Sequence, residues 1–143
     1  MTRAEIERLL EEHRDGFVDR DPVALAAGHL PDGTFESTAM STVVRGRPAI
    51  EAVYRNWFTA FPDLMLHWDS CVIDESESRA MFFWTLTGTH RGPFFGIDGS
   101  GVEVRTNGAA DARFAEGGIQ SIRHVFDFTG LLVAAGVLKA RPA

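Results

Sequence analysis

The chain is short of several things at once, and each shortage removes a class of function. It has one cysteine, Cys71, so no internal disulfide can form, which fits a reducing compartment. Cys71 falls in a run with strand character and reads as a buried structural thiol rather than a nucleophile. Basic residues are outnumbered: 14 Lys and Arg stand against 20 Asp and Glu, for a net charge of −6. That balance supplies no basic footprint, so neither nucleic acid nor an anionic membrane surface is expected as a partner. No apolar run approaches the ~20 residues of a membrane span. The N-terminus, MTRAEIERLLEEHRD, is acidic and amphipathic rather than basic-then-apolar like a signal peptide, so a cytoplasmic location is expected. The five histidines show no HxH or HExxH spacing, and no metal is expected. GxSxG, Walker and dinucleotide fingerprints are absent, as are repeats, low-complexity tracts and linkers. The whole chain, 1–143, reads as one domain.

What is present is aromatic. Eleven Phe and three Trp are spread over a 143-residue chain that is 45% hydrophobic. The segment TLTGTHRGPFFG, Thr85 to Gly96, ends a strand with the imidazole of His90 beside two glycines and two phenylalanines. An ionisable group against aromatic surface is the raw material of a small-molecule site.

The order of elements follows from periodicity. Ile6, Leu9, Leu10, His13 and Phe17 form one face of a first helix, with Thr2 and Glu5 as a capping box. Asp21-Pro22 opens a short second helix to about Leu30, and Pro31-Asp32-Gly33 reads as a turn before an extended stretch from Thr34 to Val44. A third helix starts at Arg45-Gly46-Arg47-Pro48, presents Ile50, Val53, Tyr54, Trp57 and Phe61 on one face, and stops at Pro62. Strands are expected over Leu64–Ile73, Arg79–His90, Val102–Phe114 and Ile119–Phe128, then a closing helix from Gly130 to Gly136. Helices followed by consecutive antiparallel strands define an α+β domain, and long strands covered by helices on one side curl into a cone with an apolar interior.

Strand alternation suggests which groups share that interior. Phe82, Trp84, Leu86, Gly88 and His90 lie on one face, which places His90 at the mouth of whatever Trp84 lines. In the last strand Ser121, Arg123, Val125 and Asp127 share one face, and Ile122, His124 and Phe126 the other. The second face is the more apolar, yet Asp127, between Phe126 and Phe128, would become a usable acid/base group if it pointed inward and lost hydration. Asp127 could equally cap the closing helix. A bulge would reconcile the two, so alternation alone leaves open whether His124 or Asp127 faces the cavity. His13 sits on the apolar stripe of the first helix, from which it could reach a cavity. His29 and His67 read as surface or boundary residues.

Arg45-Gly46-Arg47-Pro48-Ala49-Ile50, Phe61-Pro62-Asp63-Leu64, Trp84-Thr85 leading to Gly88-Thr89-His90-Arg91-Gly92, Phe95-Gly96-Ile97, Arg113-Phe114, Gly118-Ile119 and Asp127 through Gly130-Leu131-Leu132 occur in sequence. Over roughly residues 4–138 this order resembles the SnoaL-like polyketide cyclase family of the nuclear transport factor 2-like superfamily. The resemblance implies a cone-shaped curved sheet covered by N-terminal helices, an internal pocket, and a dimer or higher oligomer formed through the sheet. It implies ring closure of an aromatic polyketide ester by intramolecular aldol condensation, without metal or cofactor. Asp127 matches the family's acidic position and His90 its GTH histidine, so Asp127 is the expected proton shuttle, with His90 orienting an oxygen and His124 a further candidate. Phe35, Trp57, Phe61, Trp84, Phe94 and Phe95 would form the wall around a hydrophobic aromatic ligand, with Arg123 and His13 reaching it.

Three departures from the family bear on the pocket. Asp98-Gly99-Ser100-Gly101 stands where Pro-Thr-Gly is usual, Arg123 where a tryptophan is usual, and Ala110 at an often acidic position, with Asp111 one place along. An arginine in the pocket suggests a carboxylate or phenolate ligand, or an internal pair with Asp127. An epoxide hydrolase or ketosteroid isomerase relative, using the single tyrosine Tyr54, and a non-catalytic binding protein are the alternatives on this fold.

Overall fold

The computed structural model describes residues 1–139. Helix α1 (Arg3–Val18) begins at the expected capping box: Thr2 Oγ1 accepts from the Glu5 amide and the Glu5 carboxylate accepts from the Thr2 amide. Helix α2 (Pro22–Ala27) is capped by Asp21, which accepts from the amides of Val23 and Ala24. Gly16 stays helical because Leu25 of α2 packs directly against it; a Cβ there would meet Leu25 Cδ2 at 2.7 Å. Strands β1 (His29–Ser37) and β2 (Val44–Arg45) precede α3 (Arg47–Ala60), which turns Ile50 and Tyr54 into the core. Strands β3 (Met65–Asp74), β4 (Arg79–Thr89), β5 (Glu103–Ala115) and β6 (Gly118–Phe126) follow, then α4 (Phe128–Ala134).

The strands form one curved, open sheet in the order β2-β1-β6-β5-β4-β3, parallel only between β1 and β6. The α+β class and the helix-covered curved sheet therefore agree with the sequence. Two local readings do not. Pro31-Asp32-Gly33 lies within β1, where the pairing with β6 is irregular between His29 and Thr34, rather than forming a turn ahead of it. Cys71 is in a strand but exposed, because β3 is the sheet's edge.

Register decides what faces the core. On the covered side Phe82, Ala110, His124 and Ser37 lie in one cross-strand row, and Trp84, Gly108 and Phe126 in the next. The small residues of β5 leave space between the large ones of β4 and β6. Gly108 is required there: a Cβ would meet Val125 O at 2.5 Å and Trp84 Cζ2 at 2.6 Å. Among the described residues, no helix is long and apolar enough to cross a membrane.

Candidate active site

The space under the helices is a cavity of about 60 Å³, lined by Phe17, Phe35, Ser37, Tyr54, Trp57 and Phe58 on one side and Leu64, Leu66, Trp84, Leu86, His124 and Phe126 on the other. No carboxylate lines it among the described residues. Its titratable groups are His124 and Tyr54. His124 is 8% exposed, flanked by Phe35 and Trp84 at ring-centroid distances of 5.4 and 5.9 Å. Its Nδ1 has no hydrogen-bond partner among the described residues, and neither has Trp84 Nε1. Burial drives the His124 pKa down to about 4, with the neighbouring His29 adding to the effect, so the ring is neutral near pH 7.

Behind Tyr54 lies a second polar group. Tyr54 OH and His29 Nε2 are 2.8 Å apart in a fully buried contact. His13 is 6.2 Å from both His29 and Tyr54, centroid to centroid. Desolvation holds His29 at about 4, His13 well below the usual imidazole range, and the Tyr54 phenol above its ordinary value. Both nitrogens of His13 and Nδ1 of His29 are buried without partners among the described residues. Imidazoles in this state are held neutral because protonating them would strand a charge in apolar surroundings.

Of the residues singled out from sequence, the structure brings Phe35, Trp57, Trp84 and His124 to the cavity. Phe61 and Phe94 are core residues packed on Trp57, 6.0 and 5.3 Å away. His13 stands behind Phe17 and Tyr54, not in the wall.

Four expectations are corrected. Asp127 is exposed and caps α4, accepting from the Gly130 amide at 2.9 Å; β6 ends at Phe126, and the side chain turns to the helix start. Gly130 makes that cap possible, since a Cβ there would collide with the carboxylate. Arg123 faces outward, near Glu36 (3.8 Å) and Asp111 (3.9 Å), so it neither enters the pocket nor pairs with Asp127. His90 is fully buried away from the cavity, with Nδ1 3.1 Å from Ser100 Oγ and 3.3 Å from the Ala135 carbonyl, fastening the loop after β4 to α4. Phe95 is exposed and lies outside the cavity.

Sequence reasoning missed His29, which is buried at the start of β1 rather than at the surface, and gave little weight to Tyr54. The position of Tyr54 on the apolar stripe of α3 was the available signal. For His29 the irregular pairing of β1 hid the period.

A helix-covered, strongly curved sheet around an aromatic cavity defines the cystatin-like, nuclear transport factor 2-like class of α+β proteins. Within that class, the family model for SnoaL-like polyketide cyclases matches residues 7–134, and the chain belongs to that family. It is similar to AclR, a candidate hydroxylase from Streptomyces galilaeus, at 27% identity and TM-score 0.81, covering 97% of this chain and 89% of that one. TsrD from Streptomyces laurentii is 25% identical, with TM-score 0.82 and coverage of 96% and 99%. A SnoaL-like polyketide cyclase candidate from Jannaschia sp. CCS1 is 18% identical, with TM-score 0.83 and coverage of 95% and 94%, a likeness of fold. No curated protein matches the chain.

Proposed function

We propose that this chain is a cyclase-type acid/base enzyme that closes a ring in a neutral, aromatic polyketide-like substrate, with His124 as the proton carrier. The observation that supports this best is the His124 imidazole in the cavity wall, neutral and with an unpartnered nitrogen. In the reaction, His124 removes a proton from a carbon flanked by two carbonyls. The resulting enolate carbon bonds to a second carbonyl carbon of the same molecule, and the new alkoxide takes the proton back. Atoms balance without any co-reactant. A base with a pKa of about 4 is weak, so only an already acidic C–H suits it, and a carbon between two carbonyls is one. The wall supplies shape, folding the chain so that the reacting carbons are adjacent. A cavity without carboxylates or cations favours an uncharged ligand, contrary to the carboxylate or phenolate that Arg123 suggested.

His124→Gln should lower turnover of a poly-β-keto ester by about 10²–10⁴-fold, the usual worth of general acid/base catalysis, with the melting temperature retained. Full activity in that variant would refute the mechanism. The lack of a carboxylate among the lining residues favours one second reading, a binding protein without chemistry. Unchanged ligand affinity in His124→Gln, with no turnover by the native chain, would support it.

The partner we infer for the outer sheet face is a second copy of this chain. Val72, Met81, Phe83 and Val125, on β3, β4 and β6, are 71%, 47%, 61% and 53% exposed. Beside them run Arg79–Asp111, bonded twice at 2.8 Å, and the Arg123–Glu36 pair, so each edge offers both signs of charge to a symmetry mate. Phe83→Asp should convert the assembly to monomer by light scattering. A wild-type monomer at high concentration would exclude the interface.

A further inference from the structure

The cavity is smaller than a molecule of the proposed class. A cavity of about 150 Å³ is known to admit benzene, and ordinary ligand sites run to about 300–1,000 Å³; this one is about 60 Å³. Immediately outside it lies a groove of about 550 Å³, and the two share a wall, the ring of Trp57. The groove is lined by Met40, Val53, Trp57, Pro93, Phe94 and Phe95, with Asn56 and Thr59 as its polar side chains and no charged one among the described lining residues.

Its outer edge is unusual. Phe95 is 59% exposed and adopts φ 49°, a left-handed conformation that a bulky residue takes only at a cost. The ring is steadied edge-on by Phe94 at 4.8 Å and Phe128 at 5.0 Å. An exposed aromatic side chain propped at the rim of an uncharged groove has a free face, and covering that face with a flat apolar ring removes it from water.

We propose that this groove is a binding site for the distal, uncharged aromatic part of the molecule whose reactive end reaches His124 past Trp57. The inference rests on the reading of the inner cavity as the reaction site. It makes the substrate a planar, neutral, multi-ring or ring-bearing compound and not a small acid. It also gives Phe95, outside the cavity, the part of a rim contact.

The test titrates 1,8-dihydroxyanthraquinone into the full chain, following aromatic NMR signals and calorimetric affinity. The variants are Phe95→Asn, since Asn tolerates a positive φ and the fold is kept, and His124→Gln. The tricyclic probe should move the Trp57 and Phe94 signals. Phe95→Asn should weaken its binding about tenfold while leaving the melting temperature unchanged. Equal tricyclic affinity in Phe95→Asn and wild type, unmoved Trp57 signals, or no binding of the tricyclic probe at all would overturn the proposal. If Phe95→Asn weakens binding but His124→Gln still turns over substrate, the groove stands and the acid/base reading falls. The opposite pair of results keeps the mechanism and removes the groove. A signal change at Phe95 on self-association alone would mark the groove as a contact between copies, and would also overturn it.

Discussion

Acidification from pH 7 to pH 5 offers protons to the unfolded chain that the folded chain refuses. His29 and His124 are held at about 4 by burial, and His13 lower than its ordinary value by a wide margin. An unfolded histidine titrates near 6.5. Because the folded values are depressed, the stability these groups carry is whole above about pH 6.5 and is lost as the pH falls toward 4. At pH 5 a histidine with those two values has lost about 2 kcal/mol of folding free energy. His13, held well below the usual imidazole range by burial, adds to the loss in the same direction. For His29 and His124 together that is about 4 kcal/mol, a large share of the ~5–15 kcal/mol that holds a typical domain together. Urea unfolding at pH 7, 6, 5.5 and 5 should give a free energy falling by about 2 kcal/mol per pH unit in the middle of that range from His29 and His124 together. His124→Gln should lower the slope by one proton. The carboxylates held low, Asp63, Asp74 and Asp111, act in a separate window, since their stabilisation is intact above about pH 4 and is lost below it. A free energy that stays level between pH 7 and pH 5 would refute the buried, neutral imidazoles and the site built on one of them.

Two further substitutions separate structure from chemistry. Asp127→Ala removes the cap on α4 and should cost about 1 kcal/mol by chemical denaturation while leaving turnover intact; an inactive but well-folded variant would show that this carboxylate does reach the substrate. Gly108→Ala drives a methyl group into Val125 O, Trp84 Cζ2 and Phe126 Cβ (2.7 Å), so it should destabilise by about 1–3 kcal/mol in thermal melts and push Trp84 into the cavity; a neutral effect would mean that the β5 floor is looser than described.

The elements were legible because they rest on local chemistry. Capping residues at Thr2 and Asp21, the stripe on α3 and the alternation of β4 each act within a few residues of chain. The site was only half legible, because it depends on register between strands distant in sequence. Alternation in β6 divided His124 from Asp127 correctly but could not say which half was inside. The row joining His124 to Ala110 and Phe82 decides that, and only pairing across three strands creates the row. His29 was lost for the same reason: the irregular β1–β6 pairing after it breaks the count from either direction. Arg123 misled because a substitution for an aromatic residue was read as entering the pocket, when its strand position points it to Asp111 and Glu36.

The distribution of acids around the sheet ties these points to the chemistry. Ala110 is buried on the covered side of the sheet while Asp111, its neighbour in β5, faces out and pairs with Arg79; Asp127, one residue past β6, caps a helix. Both carboxylates that could have served the interior have other partners, and the interior offers an imidazole instead. A carboxylate in so apolar a space would need a cation or a cluster of donors to remain charged, and the lining supplies no cation among the described residues. A neutral histidine needs neither. As the proposed base it would be weak for the same reason that it is tolerated, and that trade would suit carbon acids that give up a proton readily. A substrate with an ordinary, unactivated C–H bond would therefore pass through this cavity unchanged, and its turnover at a rate matching a β-dicarbonyl's would be incompatible with His124 as the base.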